Sequence, residues 1–221
     1  MDFLLLIVIL AICMFSVFFA YRILDKEGLF IVMLMMIGIT ILSSFKIVGL
    51  FNIDINFGII PYVTILSIYY IILEKYNKKD KINFIKLCII GCLFISVILF
   101  IGSLYQNSVN DVLGVNLKIL FIDNYRVLIA ILVILIGNIL ATEKVFNFIK
   151  FESNKMLDRS LAGALLLVID SLVFTLISYV GILEVRALVN LFFINYLAKL
   201  IIMIIYTPLV EYIIKSKKVE S

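Results

Sequence analysis

The sequence predicts an all-α integral membrane protein, a single domain over residues 1–221 built as a bundle of six to seven transmembrane helices. Three observations carry this. Hydrophobic residues make up 65% of the chain and charged residues 15%, whereas a soluble globule is nearer half apolar. Mean hydropathy is +1.24. The apolar residues also gather into seven stretches of about the length a helix needs to cross a ~30 Å hydrocarbon core.

Away from water, every backbone N–H and C=O must be bonded within its own segment, so each stretch is read as a helix. The first covers residues 3–20. Asp2 stands where a signal peptide carries a basic residue, and no small-residue cleavage site precedes Tyr21 and Arg22, so this helix is expected to be retained. The second, fourth, sixth and seventh cover 29–45, 87–105, 161–183 and 189–214. The third (59–73) and fifth (127–141) have only 15 residues each, and must borrow flanking residues or take shelter from neighbouring helices. Six spans with one surface-lying helix is the alternative. The largest polar connections are Gln106 to Arg126, with an apolar patch at Leu117 to Ile122, and Thr142 to Ser160.

Basic residues are distributed unevenly between alternate connections. Fourteen of the 19 Lys and Arg fall on one side of the seven-span scheme: Arg22, Lys26, the Lys75 to Lys86 group, Lys144 to Arg159, and the C-terminal lysines. Four (Lys46, Lys118, Arg126, Arg186) fall on the other, and Lys199 lies inside a span. Positive charge is retained on the cytoplasmic side, which puts the N-terminus outside and the C-terminus inside.

Composition also excludes function classes. With no His in the chain, His-based triads, imidazole metal sites and His proton relays are absent. No Walker-type glycine-rich loop is present, so the chain does not hydrolyse ATP by that route. Cys13, Cys88 and Cys92 lie in apolar runs, the last two spaced as neighbours on one helix face, which fits packing better than a disulfide or zinc site. Neither an enzyme nor a nucleic-acid binder is expected, and no cofactor or metal. The expected partners are the lipid bilayer and a small-molecule substrate.

Two charges stand out because they lie deep inside spans. A charge at the centre of a lone helix costs at least about 2.5 to 3.5 kcal/mol, so Asp170 and Lys199 must face protein or a wet cavity. Asp170 lies about 14 Å into segment six from Leu161, and Lys199 about 15 Å into segment seven from Val189 at the opposite side. On consecutive antiparallel helices, both depths fall near the midplane. One reading is a structural ion pair locking the two helices; the other is a polar site at which a substrate meets one or both groups.

Asn195, Lys199 and Tyr206 share a face of segment seven, which favours a site. On segment six, Ser160, Gly163, Ala164, Ser171, Thr175 and Ser178 form a small or hydroxyl stripe, which favours close helix packing. Tyr62 and Tyr69 fall seven apart on one face of segment three, where flat rings can stack on a heterocycle or simply anchor the helix. Glu74 at the cytoplasmic edge and Arg126 at the outer end of segment five complete the candidates.

Several of these residues sit in a wider pattern. DKEGLF (25–30), Lys46 in FKIVGLF, Gly58 and Tyr62 in NFGIIPY, LEKYNKKD (73–80), the GN of Gly137 and Asn138, RSLAGALLLVIDSLVF with Asp170 and Ser171, and NYLAKLIIMIIYTPLVEYI with Lys199, Thr207 and Pro208 occur in one order and spacing. In these the chain resembles the vitamin uptake transporter family of queuosine precursor transporters, from about Asp25 onward. The resemblance implies a multi-pass importer of 7-deazapurine bases in the bacterial inner (cytoplasmic) membrane. It also implies a fold similar to the substrate-binding subunits of energy-coupling-factor importers, which leaves homo-oligomers and separate ATPase partners open. Lys46, Tyr62, Glu74, Arg126, Asp170, Ser171 and Lys199 match positions of the family pattern. The chain departs from that pattern at Ile41, Ser43, Ile59, Tyr69, Tyr70, Asn77 and Ala141, where amides, carboxylates or other residues are usual; a diverged, non-transporting membrane protein is therefore the competing reading.

Overall fold

A computed structural model of the chain describes residues 2–50, 53–105, 118–148 and 155–216. The elements are α1 (Asp2–Ser43), β1 (Ile47–Leu50), β2 (Ile53–Asn56), α2 (Ile59–Lys75), α3 (Lys78–Leu104), a π-helical turn (Ile119–Asp123), α4 (Tyr125–Phe148), α5 (Lys155–Tyr179) and α6 (Val185–Lys215). The helical membrane architecture is as expected. Among the described residues, five helices are long and apolar enough to cross a membrane, the first of them Leu4–Ser43.

That first helix is two arms. Asp25 has φ 48° and ψ −125°, outside helical geometry and in the positive-φ region that Asp tolerates better than most residues. The chain folds back there. Cys13 Sγ lies 4.0 Å from Met36 Sδ, and a Cβ on Gly28 would stand 2.0 Å from the carbonyl oxygen of Ala20. The first two expected spans are therefore the antiparallel arms of one hairpin. Gly28 permits the backbones to touch.

Outward faces are apolar. On α5, Leu165, Ile169, Leu172 and Leu176 are 46–54% exposed, and their spacing lines one side of the helix, whereas Leu166, Leu167, Asp170, Ser171 and Phe174 are buried on the other. In water such a stripe would drive aggregation; against acyl chains it is the expected surface. The 17-residue α2 is too short to count among the five, and every residue from Ile59 to Leu73 is buried. It packs chiefly against α1 and α6, with α3 and α4 completing its surround. Segment three is therefore sheltered by protein, one of the two routes open to a short span.

Several helices exceed the expected limits. α3 begins at Lys78 rather than 87, because the Asn77 side chain accepts from the Asp80 amide at 3.0 Å and satisfies one of the free N–H groups of the first turn. α4 and α5 likewise run into the polar stretch expected as a connection between Thr142 and Ser160. In the other expected connection, residues 106–117 lie outside the described residues. The patch near its end forms the π-helical turn, whose buried Phe121 packs edge-on against Phe45 at 5.3 Å between centroids.

A β-hairpin is the element an all-helical reading misses. β1 and β2 pair antiparallel, Ile47 opposite Asn56 and Leu50 opposite Ile53. The segment is rich in β-branched residues, which favour this pairing. Asn56 ties it to the bundle by donating to the Ser44 carbonyl (2.7 Å) and accepting from the Gly58 amide (2.8 Å). Gly58 fits closely here, since a Cβ would come within 2.2 Å of Ser44 Oγ.

The opposite end gathers basic residues, as alternate-connection counting requires. Lys26 pairs with Asp80 at 3.1 Å, and the Tyr76 hydroxyl donates to Asp25 at 2.5 Å. Lys75 donates to Tyr21, to the Ile213 carbonyl (2.6 Å) and to the Ser216 carbonyl and hydroxyl (both 2.9 Å). A cation among the free carbonyls of a helix C-terminus satisfies groups that have no intrahelical partner.

Substituting Gly28 by Val forces the arms of α1 apart. The expected cost is about 1–3 kcal/mol. In a thermal-unfolding experiment on detergent-purified protein this appears as a lower midpoint, by roughly 2–4 °C per kcal/mol.

Candidate functional site

Asp170 on α5 and Lys199 on α6 meet. Lys199 Nζ lies 2.7 Å from Asp170 Oδ1, and the side chains are 5% and 0% exposed. Both therefore avoid the lipid face, as the cost of an unpaired charge requires. The carboxylate accepts two further bonds, from Ser171 Oγ to Oδ1 (3.0 Å) and from Asn138 Nδ2 of α4 to Oδ2 (3.1 Å). The Asn138 amide also donates to the Tyr62 hydroxyl. Two helices beside α5 thus bond the acid directly, and α2 joins them through Asn138.

Lys199 is less completely bonded. An ammonium has three donors, and Asp170 is its only hydrogen-bond partner among the described residues. The cation lies 5.0 Å from the centroid of the Tyr62 ring and 6.0 Å from that of Phe174, close enough for the ring faces to stabilise it. Its remaining donors border a cleft.

That cleft holds about 310 Å³ of empty volume. It runs from Ser44, Asn56 and Gly58 at the hairpin end to Lys199, with Thr40, Tyr62, Phe174 and Asn195 along its walls and Ile59, Ile131 and Ile134 supplying apolar surface. The cleft has the usual mixture of small-molecule sites, an apolar lining and few polar groups. Its free centre is only about 20 Å³, room for little more than one water molecule. Admitting anything larger requires side chains or the hairpin end to move.

The structure sorts the residues singled out in the sequence. Tyr62, Asn195 and Lys199 line the cleft, and Asp170 and Ser171 stand immediately behind Lys199. Lys46 does not enter: it is exposed beside the hairpin, its ammonium 5.9 Å from the Phe57 ring centroid. Tyr69 is separated from Tyr62 by two helical turns and stacks instead on Phe84 of α3, centroids 5.1 Å apart at 11°. Glu74 ends α2 at the basic end of the bundle, and Arg126 is half-buried in the first turn of α4; neither lines the cleft. Tyr206 shares its helix face with Asn195 and Lys199 but bonds Thr64 at 2.6 Å. The small-residue stripe of α5 packs closely, since a Cβ on Gly163 would stand 2.4 Å from Met203 Cε.

Asn138, Thr40, Ser44, Asn56 and Phe174 were not legible as site residues. Thr40 and Ser44 bond back to carbonyls of their own helix, as isolated hydroxyls in spans commonly do. Asn138 carried a signal, an amide within an apolar helix, but its partners come from α2 and α5. Among the described residues, no group of three or more Cys, Asp and Glu could hold a metal ion.

A family model described as a putative vitamin uptake transporter matches residues 56–213, well over half of the chain. That range contains α2 to α5, α6 as far as Ile213, and every residue bonded to Asp170. No curated protein and no solved structure matches.

The buried pair has a distinctive mutational signature. Replacing Lys199 by Met, or Asp170 by Leu, leaves an uncompensated buried charge and is expected to cost about 3–5 kcal/mol. Making both changes removes the charges together, and the double variant is expected to melt within a few degrees of the native protein. Thermal unfolding of the three variants in one detergent checks this.

Proposed function

Because the chain belongs to the vitamin uptake transporter family, we propose that it imports a small planar, nitrogen-rich compound, a queuosine precursor of the 7-deazapurine type or a related base. The observation that carries the reading is the Lys199 ammonium, held at the cleft beside the rings of Tyr62 and Phe174 with donors to spare. Two aromatic surfaces and a cationic donor suit a flat ring bearing a carbonyl or ring-nitrogen acceptor.

Asp170 has a separate task. It balances the charge of Lys199, so a neutral base meets a strong donor without net charge being left in the hydrocarbon. Asn138 and Ser171 hold the acid in place. The small free centre of the cleft makes entry a conformational step, and such steps commonly limit turnover.

The distribution of basic residues supports an orientation in the bacterial cytoplasmic membrane with the N-terminus outside and the C-terminus inside. The hairpin end then faces outward, and the cleft descends from the side on which an importer meets its substrate. Separate ATPase subunits as an energy source are the variant of this proposal that copurification, or uptake by the isolated chain in ATP-free proteoliposomes, decides.

One observation favours a different reading, a non-transporting protein in which the pair is structural. The protein's own Asn138, Ser171 and Lys199 already give Asp170 three hydrogen-bond partners. The Asp170→Leu, Lys199→Met double variant separates the two. In cells lacking their own precursor importer, the native chain is expected to restore tRNA queuosine and saturable uptake of a labelled 7-deazapurine, and the folded double variant to restore neither. Equal rescue by the double variant returns the pair to a structural role.

Orientation has its own check. With the C-terminus inside, a Ser221→Cys variant is expected to react with a membrane-impermeant maleimide only after the cells are permeabilised, and the buried Cys13, Cys88 and Cys92 to contribute little labelling.

A further inference from the structure

Asn195 is the one cleft-lining side chain whose hydrogen-bonding groups are wholly unused among the described residues. Asn195 is 1% exposed, and neither Nδ2 nor Oδ1 has a partner. A buried polar group without a partner normally makes a fold less stable, so natural sequences rarely keep one without a use. A Leu, with the same number of side-chain heavy atoms, would have matched the apolar composition of α6.

Its neighbours give the amide a direction. Asn195 lines the cleft together with Lys199, one helical turn further along the same face, which places their backbones about 6 Å apart along the helix axis. Phe174 lies across from them on α5 and Tyr62 on α2. The neutral polar groups at the hairpin end of the cleft are already engaged: the Thr40 and Ser44 hydroxyls donate to Met36 and Thr40 carbonyls, and the Asn56 amide bridges Ser44 and Gly58. Asn195 alone offers a paired donor and acceptor.

Resting on the substrate reading above, we propose that Asn195 is the specificity-determining residue of the cleft, reading a donor–acceptor edge of the base with both atoms of its amide. Nδ2 donates to a ring carbonyl and Oδ1 accepts from the adjacent ring N–H, the paired geometry by which side-chain amides read base edges elsewhere. The ligand class is thereby narrowed to planar heterocycles with a cyclic-amide or amidine edge. A base alkylated at that ring nitrogen presents no donor to Oδ1 and leaves it buried and unpaired, so such bases are rejected.

The test uses full-length protein in nanodiscs, with 7-deazaguanine and its derivative methylated at the ring nitrogen of the cyclic amide as probes. Native protein is expected to bind 7-deazaguanine at least tenfold more tightly than the methylated base. Asn195→Leu and Asn195→Ala are expected to lose that discrimination, with tenfold or weaker binding of the unmodified base. Without ligand, Asn195→Leu is expected to raise the melting midpoint by about 2 °C or more, because it removes an unpaired buried amide. A role in holding the fold moves that midpoint the other way, and a lower midpoint overturns the proposal. So does native protein that binds both probes equally, or Asn195 variants that bind 7-deazaguanine like the native chain. Native protein that binds neither probe overturns the substrate reading and, with it, this one.

Discussion

The protein is organised around one requirement: two opposite charges midway along apolar helices must be kept from the hydrocarbon. Asp170 and Lys199 meet it by facing each other at 2.7 Å, with Asn138 and Ser171 completing the coordination of the acid. That convergence fixes the rotation of α4, α5 and α6 about their axes. An α5 turned by half a circle would aim Asp170 at lipid and bury Leu172 in its place. The arrangement on α2 follows from the same point, because the Tyr62 hydroxyl accepts from Asn138 while its ring lies beside the Lys199 ammonium.

A second constraint comes from the solvent. Where lipid surrounds a bundle, its outside is apolar and the informative residues are the polar ones inside. α2, buried from Ile59 to Leu73, forms the axis around which the others stand. At one end, Lys75, Tyr76 and Lys26 clasp α1, α2, α3 and the C-terminus of α6 through polar contacts. At the other, a short hairpin tied by Asn56 covers the bundle, and the cleft begins beneath it. The bundle is thus held shut by polar bonds at its basic end and has a nearly filled cleft toward the other, an asymmetry suited to a molecule that admits a ligand from one side at a time.

Legibility in the sequence varied with the range of the interaction. The spans were readable because each depends on local composition, while their limits shifted, as where the Asn77 cap extends α3 to Lys78. The Asp170 and Lys199 pair was readable from depth alone, since consecutive antiparallel helices leave little freedom in which residues lie level. Tyr62 and Tyr69 show where such reasoning stops. Their spacing of seven residues puts them on one side of an isolated helix, but α2 has protein on all sides, and each ring found a different neighbour: Asn138 for one, Phe84 for the other. Lys46 and Arg126 matched a family pattern, yet the hairpin and the first turn of α4 keep both away from the cleft.

By itself, then, the amino-acid sequence determined the solvent this protein lives in, the number and order of its apolar segments, the uneven placement of its basic residues, and the need for an acid and an amine to find each other. These follow from hydration and from chain length, which act residue by residue. Tertiary structure alone decided the reversal at Asp25, the hairpin over the bundle, the recruitment of Asn138 to the acid, and the placing of the Asn195 amide in the cleft with no partner among the described residues. Those depend on which side chains are brought within about 3 Å of one another by helices distant in the chain, and hydrogen bonding is too short in range and too directional to be read from spacing along one strand of sequence.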